Sequence, residues 1–272
     1  MEIEIVGKIG SMALIRKEDN DVNYNILARL GDELRPGMVW VSSGATEIGR
    51  VDYMRRRRAE LDEDMQDAKT DYAAQGQAIL MANYRQFIRP EYSVRQVLVE
   101  HQHFNDPEKR EHIRRLLLRA AGQDAIPIIN YNDPVSGEEN RKMELAYLRG
   151  MGADIVECVD NDETAAVIAR LLHAKMLVIL TSTDGIYENA DDPSTLVRSV
   201  TASTPDGLRA KLDALRRSCH GASRAGANGM LAKLRYITEP AERGTTIIIG
   251  SAKYRLSDLI SGVAPHTRIG LL

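Results

Sequence analysis

The sequence predicts an α/β fold in which helices cover both faces of a mostly parallel central sheet, giving a three-layer sandwich. Short apolar runs rich in β-branched residues alternate with longer segments of helical periodicity. Most of the apolar runs lead into polar or glycine-bearing loops. The chain has 272 residues and is 43% hydrophobic. That is enough for a substantial core, and it allows one large α/β domain or two small ones.

Seven apolar runs are predicted to be buried strands because β-branched residues dominate them. In chain order they are residues 3–9, 38–41, 94–99, 126–129, 155–159, 176–180 and 246–249.

Five segments between these runs have the spacing of helices. They are residues 24–34, 67–87, 107–121, 164–173 and 208–217. In the third segment Ile113, Leu116 and Leu117 share one face, which predicts the side that packs on the sheet.

The composition favours a cytoplasmic protein without nucleic acid or membrane partners. The net charge is −3, and the run of four arginines, 55–58, is soon followed by acidic residues, which is typical of a solvated helix face. Two cysteines, Cys158 and Cys219, are too few for a disulfide framework and fit a reducing compartment. No apolar run approaches the length of about 18 residues that a membrane span needs, and the N-terminus has no signal-peptide pattern.

Ligands of parallel sheets bind beyond the carboxyl ends of the strands, so the loops after the strands are the first candidates for a site. These loops share small residues, amides and carboxylates, and two of them place a lysine beside glycines. They contain Lys8, Gly10 and Ser11; Ser42 to Ala45; Asn130, Asn132 and Asp133; Asp160 to Thr164; Thr181 to Tyr187; and residues 226–233 with Lys233. Backbone N–H groups, cations, and a carboxylate that holds the cations are the parts of a phosphate-handling site.

Common nucleotide and hydrolase motifs are absent. The sequence contains neither GxxxxGK[ST] nor GxGxxG, and it has no His/Cys zinc cluster and no GxSxG. Single residues also have ordinary explanations: Asp162 as the N-cap of the following helix, Lys233 on a solvated face, and His101 and His103 at the surface. The ordered set, with each member after a strand, is harder to explain in that way.

Several stretches together resemble the amino acid kinase superfamily and, within it, the glutamate 5-kinase family. They are GKIGSMAL, VSSGATEIG, AAQGQAILM, QVLVEHQHFND, IPIINYNDPV, VDNDETAAVIARLLHAKMLVILTSTDGIY and GMLAKL, and they span nearly the whole chain. The resemblance implies one domain, 1–272, in which about 1–157 binds the phosphate acceptor and about 158–272 binds ATP with Mg²⁺. It further implies a short form without the C-terminal RNA-binding-type domain of many members, and a homo-oligomer.

The activity implied by the resemblance is transfer of the γ-phosphoryl group of ATP to a carboxylate of glutamate or a similar amino acid, the first step of proline biosynthesis. The catalytic residues carried over are Lys8 and Lys233, which contact the transferring phosphate, and Asp162, which orients both lysines. The acceptor would be held by Ser43, Gly44, Asp133 and Asn161. The residues carried over for the nucleotide are Gly10, Ser11, Thr181, Ser182, Asp184, Tyr187, Gly226, Ala227, Asn228, Gly229, Met230 and Lys233.

The sequence departs from the family pattern at four places. Gly7 replaces an apolar residue and is expected to loosen the end of its strand. The nucleotide loop reads GANGMLAK, in which Asn228 would take a left-handed turn conformation. The stretch from Asp133 to Asn161 is much longer than usual and is a candidate lid or specificity element, and CVDND lacks the usual glycine.

These departures leave two further hypotheses open. One is the same kinase chemistry on another small acid or on a phosphate acceptor, with Arg50 and Arg141 as candidate ligands. The other is a nucleotide-binding regulator with little catalysis.

Overall fold

The structure, a computed structural model, describes residues 2–16, 18–136, 138–150, 155–158, 160–189, 191–219 and 227–272. Its strands are β1 (Ile5–Ile9), β2 (Ile15–Arg16), β3 (Asp21–Val22), β4 (Met38–Ser42), β5 (Ser93–Val99), β6 (Ala125–Tyr131), β7 (Met176–Thr181), β8 (Ser199–Ala202), β9 (Thr246–Ser251) and β10 (His266–Leu271). Its helices are α1 (Ser11–Leu14), α2 (Tyr24–Glu33), α3 (Ala45–Arg57), α4 (Met65–Phe87), α5 (His101–Asn105), α6 (Pro107–Ala121), α7 (Glu138–Gly150), α8 (Asn161–Leu172), α9 (Pro205–Cys219), α10 (Ala227–Glu242) and α11 (Leu256–Ser261), with a 3₁₀ turn at Pro193–Thr195.

Eight strands form one sheet in the order β5-β6-β4-β1-β7-β9-β10-β8, and β2 and β3 form a separate small antiparallel pair. All neighbours in the large sheet are parallel except β9 and β10. The carboxyl ends of β1, β4, β6, β7 and β9 therefore meet at one edge of the sheet. The loops that follow these strands, which the sequence analysis predicted as candidates for a binding site, lie at this edge.

Two apolar cores lie on opposite faces of the sheet, and helices close both. One core includes Leu117 of α6, Ile168 of α8 and Leu234 of α10. The other includes Leu27 of α2 and Leu80 of α4. The predicted three-layer α/β sandwich with a mostly parallel sheet is confirmed.

Strand β1 is the centre of the sheet, and it is buried along its whole length. Its side chains alternate between the two cores, so Val6 and Lys8 project to the face of α8 while Ile5 and Ile9 project to the other. Gly7 pairs in register with Trp40 of β4, and a Cβ on Gly7 would lie 1.8 Å from the Trp40 ring. Instead of loosening the strand, this glycine makes room for the indole.

Helices α3 and α4 cross with their backbones in contact. A Cβ on Gly49 would lie 1.9 Å from the carbonyl oxygen of Tyr72, and one on Gly76 would lie 2.5 Å from the nitrogen of Gly49. The arginines at the end of α3 are exposed, as a solvated face requires, and Arg56 pairs with Asp52 one turn earlier at 2.9 Å.

Six of the seven predicted strands are confirmed, and the prediction at 155–159 is wrong. Residues 155–158 have no regular structure, and Val159 lies outside the described residues. The Asn105 side chain bonds both the N–H and the carbonyl of Val156, and Glu163 accepts the N–H of Glu157. These side chains satisfy the backbone groups that a neighbouring strand would otherwise pair.

Among the described helices, none has the length and hydropathy that crossing a membrane would require.

Candidate active site

Three charged side chains meet at the carboxyl edge of the sheet. Asp162 receives Lys8 Nζ at 2.8 Å on Oδ1 and Lys233 Nζ at 2.9 Å on Oδ2. Lys8 is buried in β1 and Lys233 lies on α10, so the carboxylate bridges the central strand and a helix. The side chains of Lys8, Asp162 and Lys233 are only 8%, 7% and 18% exposed.

Asp162 is positioned by the start of α8. The N-cap of this helix is Asp160, whose carboxylate accepts the N–H groups of Asp162 and Glu163 at 2.8 and 2.9 Å. The prediction of Asp162 as the N-cap is therefore wrong by two residues. Because Asp160 takes the capping role, the Asp162 carboxylate is left to face the lysines.

The electrostatics of this trio favour an anion. Burial alone would raise the pKa of Asp162, but the charges of Lys8 and Lys233 outweigh it and hold the pKa of the carboxyl below its usual value. Two cations around one carboxylate leave one positive charge uncompensated in a largely dry environment. Such a site attracts a negatively charged group far more strongly than the same charge in water.

The loop after β4 presents backbone donors at the same edge. Gly44 is left-handed, with φ 102°, and is the N-cap of α3 without any side-chain cap. An added Cβ there would lie 3.0 Å from Leu14, so both space and backbone conformation select glycine. The N–H groups in the first turn of α3 are thereby left open towards the edge of the sheet.

A chain of buried amides links this loop to α8. The Asn161 side chain donates to Ser43 Oγ at 3.0 Å and to Asn130 Oδ1 at 2.9 Å, and Asn130 donates to Gln77 Oε1 at 2.8 Å. Within the part of the chain that the structure describes, Gln77 Nε2 and Asn161 Oδ1 are buried without a hydrogen-bond partner. Unsatisfied buried polar atoms are costly, and a polar ligand between the two elements would satisfy them.

The structure brings Ser43, Gly44 and Asn161 together, whereas Asp133 lies in the turn after β6 with its side chain exposed. Asn130 was predicted to lie in a candidate loop after a strand but was given no role, and Gln77 was not selected from the sequence. Asn130 is the last polar residue within a fully buried strand, and Gln77 is a polar residue on the apolar face of α4. A polar side chain at a position that the periodicity assigns to the core is the signal that would have found them.

Four of the residues predicted for the nucleotide, Thr181, Ser182, Asp184 and Tyr187, lie at or after the end of β7. Thr181 ends β7 and its hydroxyl bonds Thr183, while Asp184 pairs with Lys253 at 2.8 Å. Partial burial raises the pKa of Tyr187, and the charge of Asp184 adds to the effect. Lys253, which follows β9, was not predicted from the sequence.

Two predictions for this part need correction. The N–H of Gly10 donates to the carbonyl of Leu180 at 3.2 Å and ties β1 to β7, so it is not available to a phosphate. Ser11 is the first residue of α1, where its N–H is a helix-terminal group. Asn228 is helical within α10, so the expected left-handed turn does not occur there, and Gly226 lies outside the described residues. Ala227 and Gly229 share the first turn with Asn228, and Met230 packs against the core beside α8.

The long stretch between Asp133 and Asn161 forms α7, which the sequence did not predict as a helix. Leu145 is buried, and Glu144 Oε2 lies 2.7 Å from His101 Nε2. His101 is only 2% exposed, so its predicted surface position is wrong. The imidazole thus lies between Glu144 of α7 and Tyr131, whose Oη is 3.4 Å from its other nitrogen.

The fold and the sequence comparisons define the class: the chain belongs to the amino acid kinase family, whose model matches residues 4–251. Two of the relatives that it matches are named glutamate 5-kinase. The protein of Frankia casuarinae is 33% identical over 235 residues, covering 84% of this chain and 54% of the relative. That of Shouchella clausii is 29% identical over 240 residues, covering 86% and 57%. The amino acid kinase family predicted from the motifs is confirmed, and the chain spans little more than half the length of these relatives.

Solved structures give the same fold. Carbamate kinase of Giardia superposes with a TM-score of 0.62 at 16% identity, and the match covers 99% of both chains. At this identity the likeness concerns the architecture alone.

Proposed function

We propose that this protein transfers the γ-phosphoryl group of ATP to the side-chain carboxylate of glutamate or a glutamate-like amino acid. The observation that carries the proposal is the position of Asp162 between two buried lysines at the carboxyl edge of the sheet. The uncompensated positive charge suits a transferring phosphoryl group, and the amide chain from Ser43 to Gln77 suits a polar acceptor beside it.

The proposed reaction follows from this placement. An oxygen of the acceptor carboxylate attacks the γ-phosphorus, the bond to the β-phosphate oxygen breaks, and an acyl phosphate and ADP result. No proton is transferred, because the acceptor is already an anion. Lys8 neutralises charge on the transferring group, and Lys233 does so on the side of the leaving phosphate. Asp162 offsets the repulsion between the two ammonium groups and orients both. Mg²⁺, which enters with ATP, supplies further charge neutralisation on its phosphates.

The division of labour follows the sheet. The acceptor side comprises about residues 1–157, with Ser43, Gly44, Asp133 and Asn161. The nucleotide side comprises about residues 158–272, with Thr181, Ser182, Asp184 and Tyr187 at the ends of its strands. We place the activity at the first step of proline biosynthesis in the cytoplasm, carried out by a homo-oligomer, as the similarity to glutamate 5-kinases suggests.

A different acceptor is the second candidate, motivated by α7. A phosphate acceptor would need arginines near the acceptor loops. Arg50 instead pairs with Glu60 at the surface, and the side chain of Arg141 lies outside the described residues. The carboxylate acceptor therefore has the better support. The trio of Lys8, Asp162 and Lys233 likewise favours catalysis over a purely regulatory role.

The test is ATP turnover with Mg²⁺ and a panel of acidic amino acids, with hydroxylamine present to trap an acyl phosphate as a hydroxamate. We expect hydroxamate with glutamate, and loss of the signal in Lys8→Ala and Asp162→Ala. ADP release with a phosphate acceptor and no hydroxamate would favour the second candidate, and no turnover with any acidic amino acid would reject the first.

A further inference from the structure

Two buried hydroxyl groups lie directly beneath the loop Ser43–Gly44, which the proposed function assigns to the substrate and which is called the acceptor loop below. Ser42 ends β4 and is 0% exposed, and Tyr84 reaches it from α4 with no exposed surface. The Tyr84 hydroxyl donates to Ser42 Oγ at 2.8 Å, and Ser42 Oγ donates to the carbonyl oxygen of Ser43 at 3.1 Å. The result is a directed relay from the helix to a single peptide group.

That peptide group joins Ser43 to Gly44. In a trans peptide the C=O and the N–H point in opposite directions, so fixing one fixes the other. Because the relay holds the Ser43 carbonyl towards Ser42, it turns the Gly44 N–H away from the core. Among the described residues this N–H has no hydrogen-bond partner.

We propose that Tyr84 and Ser42 are positioning residues for the acceptor: they hold the Ser43–Gly44 peptide so that the Gly44 N–H faces the substrate carboxylate. This inference rests on the proposed function for the identity of the substrate, but the peptide orientation does not depend on it. Neither hydroxyl touches the acceptor, because both lie on the core side of the loop.

The residues around the loop allow the relay to select one orientation of the Ser43–Gly44 peptide. Gly44 has no Cβ to resist rotation of the peptide, and left-handed glycine allows the flipped peptide at little cost. The rest of the loop is held on the other side by Ser43 N donating to Ile9 O at 3.1 Å and by Asn161 donating to Ser43 Oγ at 3.0 Å. Among the residues that the structure describes, the Ser42 hydroxyl is the one hydrogen-bond donor to the Ser43 carbonyl. Burial also raises the pKa of Tyr84, so its hydroxyl stays protonated and donates across the working pH range.

The relay predicts a pattern across four variants. Ser42→Ala removes the bond to the Ser43 carbonyl, and we expect the acceptor KM to rise about fivefold to tenfold while kcat and the KM for ATP stay within twofold. Tyr84→Phe leaves Ser42 in place without its donor, so a smaller rise of about twofold to threefold is expected. The double variant should equal Ser42→Ala, because Tyr84 acts only through Ser42. Ser42→Thr keeps the hydroxyl and should restore the KM.

Tyr72→Phe is the matched control. Tyr72 is also buried on α4, and its hydroxyl accepts the N–H of Leu61 at 2.7 Å, away from the acceptor loop. It should lower the melting temperature about as much as Tyr84→Phe but leave the acceptor KM unchanged. Two outcomes would overturn the proposal and leave the relay with a structural role. One is an equal effect of the two tyrosine variants on the acceptor KM. The other is a Ser42→Ala variant that loses stability while its acceptor KM is unchanged.

Crystal structures of the wild type and Ser42→Ala decide the orientation directly. We expect the Ser43–Gly44 peptide to be rotated, or in two orientations, only in the variant. A peptide unchanged in Ser42→Ala overturns the proposal. If the wild type phosphorylates no acidic amino acid, the proposed function fails, and these two structures alone decide whether the relay sets the peptide.

Discussion

Gly76 of α4 lies against Gly49 of α3 so closely that a Cβ on Gly76 would be 2.5 Å from the backbone nitrogen of Gly49. The same Cβ would be 1.8 Å from the carbonyl oxygen of Ala45, the first residue of α3. The obstacles are backbone atoms, which do not rotate away. The position of α3, and with it the acceptor loop, therefore depends on a glycine in another helix.

Gly76→Ala is expected to lower the free energy of unfolding by about 1–3 kcal/mol, because the added Cβ overpacks a tight contact. The gain in helix propensity, about 1 kcal/mol, offsets only part of this cost. Urea unfolding followed by circular dichroism measures the change. Gly150→Ala is the control, since nothing lies within 4 Å of a Cβ there. Equal stability of Gly76→Ala and the wild type would show that α3 shifts without cost.

Asp162→Asn should abolish most of the turnover while preserving the shape of the side chain. The amide cannot neutralise the charges of Lys8 and Lys233. The two ammonium groups therefore repel each other and are no longer held in their orientation. Removing one such charge-positioning group costs about 10²–10³ in kcat. The hydroxamate assay measures it, with Asp32→Asn as control, because Asp32 is an exposed carboxylate that pairs with Arg89. An Asp162→Asn variant with more than a tenth of the wild-type kcat would contradict the assigned role.

The lowered pKa of Asp162 also predicts how stability depends on pH. A carboxyl whose folded pKa lies below its unfolded value of about 3.9 stabilises the fold above that value and stops doing so as pH falls through the folded pKa. The difference in unfolding free energy between the wild type and Asp162→Asn should therefore be constant near neutral pH and shrink below about pH 4. Urea titrations from pH 3 to pH 7 test this. A gap that stays constant or widens in acid would refute the assignment.

Helix α7 is expected to be held mainly by Leu145 and by the contact of Glu144 with His101. Glu144→Ala should speed tryptic cleavage after Lys142 or Arg149 several-fold without lowering the melting temperature, because local opening becomes easier while the cores are untouched. Met143→Ala, at a residue 66% exposed on the same helix, should cleave like the wild type. If both variants cleave at the same rate, the contact with His101 does not hold the helix.

The sequence was informative where one physical signal dominated. Buried central strands such as β1 and β7 consist of apolar β-branched runs, and helices such as α6 combine an N-cap with a clear apolar face, so both were found close to their bounds. Strands β8 and β10 were missed because β8 has only four residues and β10 alternates around His266 and Arg268. The run at 155–159 has strand composition, but side chains distant in sequence satisfy its backbone, and no local pattern records that.

The site residues also divide into those that the sequence could indicate and those that depend on packing. Lys8 and Ser43 could be named because they lie at the carboxyl ends of β1 and β4, and the rule for parallel sheets places such residues at one edge. Asn161 was named through the resemblance to the family, since the strand predicted before it does not form. Gln77, Tyr84 and Lys253 could not be named, because their approach depends on how α4 and the end of β9 are oriented in space. His101 was assigned to the surface because its burial depends on residues distant in sequence, among them Tyr131 and Glu144 of α7.

The single tryptophan of the chain is Trp40, enclosed over Gly7 with 0% exposure and only two residues from Ser42. An indole in such dry surroundings emits at shorter wavelength than one in water, and no second tryptophan adds to its signal. Its fluorescence is therefore a built-in optical probe of the strand that carries the acceptor loop. Because Trp40 lies in β4, one emission spectrum reports whether the centre of the sheet is intact, with no label attached to the protein.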